Sequence, residues 1–280
     1  MLKIAVLSGK GGTGKTTISC SLFSALDKCC YVDCDVEEPN GFLFLKPDLT
    51  GHQPVNVPVP EINDTLCTSC GACVDICQFN ALAMVQGKVL LFEELCHHCG
   101  ACALACKPMA ITEIERTIGT IDFDREEKFL QGRLNIGEPA GVPIIRDLGK
   151  KAIKKNDCIS IIFDCPPGAS CAVAAVLDFC DYALIVTEPT PFGLHDLKIA
   201  AELVKLKGKA CGIVINKSGD RDRPTMNYCT ESGLDIILKL PYDRGIASSY
   251  ARGILPVKNN PELINQFRKM YDVISDEVRL

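Results

Sequence analysis

The chain has 280 residues, 47% apolar and 23% charged, with a formal net charge of −5 and a pI near 5.5. That length holds one large α/β domain, or a large and a small one. No run of about 18 apolar residues is present, which excludes a membrane-spanning helix, and no basic block is present, which argues against nucleic acid or an anionic membrane as the main partner.

From the N-terminus, residues 2–8 are an apolar, β-rich run that turns through glycines into a helix from about Lys15 to Asp27. This opening shows no basic-then-apolar leader, so the 18 cysteines are read in a reducing cytoplasm and not as a disulfide framework. A short strand follows around Cys30–Asp33. The Pro- and Asn-rich stretch Pro54 to Asn63 reads as a linker into a separate module that runs to about Arg116, and T-I-G-T-I-D-F after it reads as extended chain. A helix is expected over Ile144–Lys155. Three strand-like runs come next: Cys158–Phe163 ending at D-C-P-P-G, Tyr182–Thr187 ending at E-P-T-P, and Cys211–Ile215 ending at N-K-S-G, with a helix at about Leu194–Lys207. Asp235–Leu240 ends at P-Y-D-R, and a last helix over about Pro261–Val278 puts Leu263, Ile264, Phe267, Met270, Tyr271 and Ile274 on one face. Continuous apolar strands alternating with helices predict an α/β fold with a mostly parallel, doubly wound sheet buried on both faces. Functional loops then belong at the C-terminal ends of the strands.

Residues 9–16 read G-K-G-G-T-G-K-T, which fits G-x4-G-K-[ST] after a strand and before a helix. In such a loop the backbone N–H groups of Gly11, Gly12, Thr13, Gly14, Lys15, Thr16 and Thr17 surround nucleotide phosphates, helped by the helix N-terminus. Lys15 is expected to neutralise the β- and γ-phosphates and Thr16 to offer its hydroxyl to Mg2+.

Eight cysteines form two runs of C-x2-C-x2-C-x3-C: Cys67, Cys70, Cys73, Cys77, and, 29 residues later, Cys96, Cys99, Cys102, Cys106. Thiolates at this spacing suit 4Fe-4S clusters, whereas zinc sites usually use two C-x2-C pairs. Gly71 and Gly100 follow the second cysteine of each run and permit tight turns. His97 and His98 are read as lying outside the ligand set. Residues 55–116 carry seven acids and three bases, a net of −4, which suits docking to a basic redox partner. The ten other cysteines are read as small buried apolar side chains.

The early lysine in K-G-G-x-G-K-T-T resembles the deviant phosphate loop of the MinD/ParA group, the nitrogenase iron protein and the Mrp-like iron–sulfur carriers. That resemblance implies that Lys10 reaches the partner subunit's phosphates across a dimer, and that Asp35 in Y-V-D-C-D orients the attacking water while Asp33 braces the loop. It also implies that Asp164, ending I-I-F-D, holds Mg2+ together with Thr16 and Asp35. Asn216 in V-I-N-K-S-G matches an asparagine that reads the adenine amino group, with Pro241 and Tyr242 packing near the base; a structural asparagine at a strand end is the alternative. The cysteine runs resemble a bacterial two-cluster ferredoxin, which implies one cluster on Cys67, Cys70, Cys73 and Cys106 and a second on Cys77, Cys96, Cys99 and Cys102. The sequence departs from that pattern in lacking a proline directly after Cys77 and Cys106.

The whole chain thus resembles a MinD-superfamily P-loop ATPase with an inserted ferredoxin domain, divided as 1–54 and 117–280 for the ATPase and 55–116 for the insert. ATP, Mg2+ and two 4Fe-4S clusters are the implied cofactors, and a homodimer or related heterodimer the implied assembly. Coupling of ATP to iron–sulfur or metallocofactor assembly or carrying is the first expectation, with an apo-metalloprotein as partner. ATP-gated electron donation to a redox enzyme is the second, and a positioning ATPase the third. Against the third, the polar face of the last helix mixes Glu262, Asp272, Asp276 and Glu277 with Arg268, Lys269 and Arg279, where a membrane-targeting helix is basic. Cys171 is read as a structural thiol, with a cluster shared across the dimer as the alternative.

Overall fold

The computed structural model describes residues 1–155, 157–250 and 252–279. The chain begins with β1 (Leu2–Leu7), α1 (Lys15–Ala25), β2 (Cys29–Asp33) and α2 (Gly41–Leu45), then enters a long strand, β3 (Leu49–Ile62). The cysteine segment follows, with α3 (Ala72–Ile76), a hairpin of β4 (Leu82–Val85) and β5 (Lys88–Leu91), and α4 (Ala101–Ala105). The chain returns through β6 (Ile111–Asp124) and β7 (Phe129–Leu134), and continues with α5 (Val142–Ile153), β8 (Ser160–Asp164), α6 (Cys171–Leu177), β9 (Tyr182–Thr187) and α7 (Pro191–Leu206). It closes with β10 (Ala210–Ser218), α8 (Arg223–Ser232), β11 (Asp235–Pro241), α9 (Arg244–Tyr250) and α10 (Pro261–Arg279).

Nine strands form one sheet in the order β11-β10-β9-β1-β8-β2-β7-β6-β3. All are parallel from β11 to β7, and β6 and β3 add an antiparallel ribbon at one edge. Alternation along β1 sends Ala5 and Leu7 to one core and Ile4 and Val6 to the other. Helices α5, α6 and α7 cover the first face, and α1 and α10 the second. Leu263, Phe267, Met270 and Ile274 of α10 are buried, and Arg268 Nε donates to the Ala25 carbonyl at 2.8 Å. The apolar face of the last helix is therefore core. No helix among the described residues is long and apolar enough to cross a membrane.

Residues 54–62 are strand, not linker. Val55, Val57 and Val59 point inward at every second position and are buried, while Pro54, Pro58 and Pro60 occupy the sheet's last strand, where a missing N–H costs no ladder bond. The ribbon of β3 and β6, with register shifts at Leu49/Gly51 and Val55/Asn56, runs from the main sheet to a small core of its own, built on Cys73, Leu82, Val89 and Ile111. Two of the ten remaining cysteines also depart from expectation. Cys30 and Cys158 form a disulfide with Cα atoms 6.2 Å apart, because the pairing of β2 with β8 brings the N-terminal ends of these strands side by side.

Candidate functional site

Parallel strands place their C-terminal ends along one rim, and the strand-end motifs collect there. After β1 the loop turns through Gly12 and Gly14, both at positive φ, into α1. Gly14 is required twice over: its φ is 95°, and a side chain there would collide with Asn216 Nδ2. Lys15 opens α1 and is buried, as is Thr13, whose Oγ1 has no hydrogen-bond partner. Thr16 and Thr17 follow, both half-buried.

The ends of β2 and β8 supply the carboxylates. Asp33 and Asp164 are buried at neighbouring register positions. Asp33 accepts from the backbone N–H of Asp35, Asn40 and Gly41 at 3.1, 3.0 and 2.9 Å, which makes it the brace of the loop after β2. Burial, reinforced by the facing Asp164, still pushes its carboxyl well up. Asp164 is also raised by burial, against the pull of Lys15 and of the hydrogen bond from Tyr31. Its Oδ2 accepts from Tyr31 at 2.8 Å, while Oδ1 has no partner. Asp35 is half-buried and is pushed up to about 6 by burial, with Lys15 pulling the other way. Three carboxyls beside one buried lysine leave an excess of negative charge, and Mg2+ fits it: hard oxygen donors, one with an open lone pair, next to a threonine hydroxyl.

Asn216, at the end of β10, lies against the loop itself: its Nδ2 donates to the Thr13 carbonyl at 2.8 Å, and its Oδ1 accepts from the Lys217 N–H. Pro241 pairs in register with Ser218, and the Tyr242 N–H donates to the Ser218 carbonyl at 3.2 Å, so both lie on the same rim, exposed. Lys10 is held by Glu188 Oε1 at 2.6 Å. Cys171 is exposed at the start of α6, and Cys165 is buried.

Three residues enter the site that the motifs do not name: Tyr31, Glu188 and Lys217. Parity along β2 is a signal for Tyr31, since Tyr31 and Asp33 share a face. Glu188 stands at the end of β9, beside the strand that carries the phosphate loop.

The cysteine segment repeats itself in backbone as well as sequence. Ser69, Gly71 and Asn80 have positive φ, and so do His98, Gly100 and Met109, each 29 residues on. The Asn63 N–H donates to the Ala110 carbonyl and the Phe92 N–H to the Ala81 carbonyl, so each half closes on the other. One small cavity is lined by Cys67, Cys70, Cys73 and Cys106, and another by Cys77, Cys96, Cys99 and Cys102. The Ala81 N–H points at Cys77 Sγ at 3.3 Å and the Ala110 N–H at Cys106 Sγ at 3.2 Å. Among the described residues, no group of three or more Cys, His, Asp or Glu is arranged to hold a metal ion. The thiols instead line two apolar cavities, four to each. His98 is half-buried, with no partner on either ring nitrogen, and His97 stacks on Phe79 at 3.9 Å between centroids.

A strand leading through a glycine-rich loop into a helix that opens on a buried lysine, with carboxylates on the neighbouring strand ends, defines a P-loop nucleotide hydrolase. Residues 4–257 match the CobQ/CobB/MinD/ParA nucleotide binding domain, and the chain belongs to this family of P-loop ATPases. It is 34% identical over 269 residues to the uncharacterized protein MJ0579 of Methanocaldococcus jannaschii, covering 93% of each chain. To the uncharacterized ATP-binding protein MJ0823 of the same organism it is 26% identical over 280 residues, covering 98% of this chain and 97% of that one. The fold is similar to that of the cell division ATPase MinD of Pyrococcus furiosus, with a TM-score of 0.59 and 24% identity over 98% of both chains.

Proposed function

We propose that this ATPase is a nucleotide-switched dimer whose ATP cycle acts on two 4Fe-4S clusters, held by the ferredoxin-like insert of residues 55–116 within an ATPase of residues 1–54 and 117–280. The observation that carries the reading is the sorting of eight cysteines into two cavities of four, each taking its fourth cysteine from the other run. In the ATPase half, the loop from Gly11 to Thr17 binds the phosphates of ATP and Lys15 neutralises them. Thr16, Asp35 and Asp164 hold Mg2+, which bridges phosphate oxygens and offsets their charge. Asp35 orients the attacking water, Lys10 serves the partner subunit, and Asn216, Pro241 and Tyr242 form the side of the pocket near the base.

Residency of the clusters favours gated electron transfer over cluster carrying. Four thiols per cavity come from one small core, and backbone N–H groups already point at the fourth sulfur of each. A cargo cluster needs ligands that let go, and such a cradle resists release. The acidic surface of the insert suits a redox acceptor with a basic face. A positioning role through a membrane helix finds no support in α10, whose apolar face is used by the core.

Iron and labile sulfide in the anaerobically purified full chain test the reading. About eight irons per chain, with cubane absorption and EPR signals after reduction, are expected. Four or fewer irons, or tightly bound zinc, would overturn it. Transfer of iron and sulfide to an apo-protein, without ATP-dependent electron transfer from the reduced chain, would restore the carrying role.

A further inference from the structure

Glu188 binds two lysines of the nucleotide site at once. Its Oε1 lies 2.6 Å from Lys10 Nζ and its Oε2 lies 3.0 Å from Lys217 Nζ. The backbone of Glu188 is closely held. It follows β9 directly, its carbonyl accepts from the Thr190 N–H at 2.8 Å, and a Cβ on Gly193 would strike that same carbonyl. Lys10 is held from the other side too, because Gly9 packs so closely on the backbone of Asp196 in α7 that no side chain fits there. Only 14% of the Glu188 side chain is exposed, against 32% for Lys10. Burial works against its charge, yet the two lysines outweigh burial and hold the carboxyl below its ordinary range.

We propose that Glu188 is a latch that keeps Lys10 in its own subunit until a second, ATP-loaded copy of the chain docks. This rests on the reading of Lys10 as a residue that serves the partner's phosphates. One side chain cannot occupy both places, so the pairing with Glu188 competes with the dimer. Lys217 makes the release affordable. When Lys10 leaves, Lys217 remains on the carboxylate, and no buried charge is left without a partner. Lys217 also donates to the Gly12 carbonyl at 3.3 Å, inside the phosphate loop. The latch therefore touches the phosphate loop itself, and Glu188 acts as a positioning residue for Lys10.

The test is the monomer–dimer equilibrium of the full chain, measured by sedimentation with Mg2+ and a non-hydrolysable ATP analogue. Glu188→Gln keeps the shape and removes the charge, and is expected to tighten the dimer about fivefold, the worth of one partly exposed ion pair. Lys217→Met leaves Glu188 to Lys10 alone and is expected to weaken the dimer. Opposite shifts in the two variants are the signature, since general damage to the site weakens both. A dimer unchanged or weakened by Glu188→Gln overturns the latch. Should that variant fail to fold, a Lys217→Met dimer as tight as the parent's overturns it. A parent chain that stays monomeric with the analogue overturns the dimer reading itself, a result distinct from failure of the latch.

Discussion

At the scale of single residues, the nucleotide site is governed by how buried charge is satisfied. Asp164 has one oxygen bonded to Tyr31 and the other open, so the phenol fixes which oxygen is left free to accept, the one proposed to face Mg2+. Tyr31 is itself fully buried, stacked on Phe129 at 5.4 Å and met edge-on by Phe23 at 5.8 Å, and has no freedom to turn away. Tyr31→Phe keeps this packing and deletes one hydrogen bond to a charged group, worth about 1.5–3 kcal/mol. The Mg2+ concentration for half-maximal ATP hydrolysis is expected to rise several-fold, with saturating activity less affected. A Mg2+ titration of the variant decides the point: an unmoved half-saturation would show that Tyr31 does not aim Asp164. The motif residues were legible because phosphate chemistry fixes their types and spacing. Tyr31, Glu188 and Lys217 were not, because their roles arise from contacts between strand ends far apart in sequence.

At the scale of elements, the parallel strands other than β7 were legible as apolar runs, and their ends fall within a few residues of expectation, whereas β7 (Phe129–Leu134) went unread. The ribbon was not. Proline and asparagine in residues 54–63 signal a linker by composition, yet the valines at 55, 57 and 59 keep strict alternation, and the edge position removes the penalty on proline. The short α2 and the polar α8 went unread for the opposite reason. Five residues show too little periodicity, and R-P-T-M-N-Y-C-T-E-S buries only Thr225 and Cys229. The buried valines join β3 to the main core, so the ribbon is part of the main sheet and runs on into the cysteine segment. Val57→Ala is expected to cost about 2 kcal/mol of stability, from the lost apolar burial and the space left behind. Pro58→Ala, one residue on and exposed, is expected to change stability by less than about 0.5 kcal/mol. Urea midpoints of the two variants check the ribbon's inward face, and equal effects would contradict it.

At the scale of the whole molecule, a connected set of contacts runs from the nucleotide rim to the cysteine module. Asp35 is followed by Val36, whose carbonyl accepts from the Leu134 N–H at 2.8 Å at the end of β7. The Asn135 N–H then donates to the Ile118 carbonyl in β6. Glu138, in the same loop, binds Arg116 at 2.8 Å, and Arg116 lies 3.6 Å from Glu93, three residues before Cys96. Arg116 is thus the one residue in this set that is paired with acids of both halves. Its 23% exposed side chain is shielded enough for the pairing to persist at physiological salt. Movement of the loop after Asp35 on ATP binding would displace the loop after β7 and with it the cation beside the second cavity. Cluster potentials respond to nearby charge and solvent exposure. Under the proposed reading of two resident 4Fe-4S clusters, Arg116→Gln is expected to leave iron content and ATP hydrolysis near the parent's, and to shrink by more than half the shift in cluster potential produced by a non-hydrolysable ATP analogue. Redox titration of the loaded chain, with and without the analogue, measures that shift. A shift of full size in the variant would show that nucleotide reaches the clusters by another route, and the β3–β6 ribbon would be the element left to carry it.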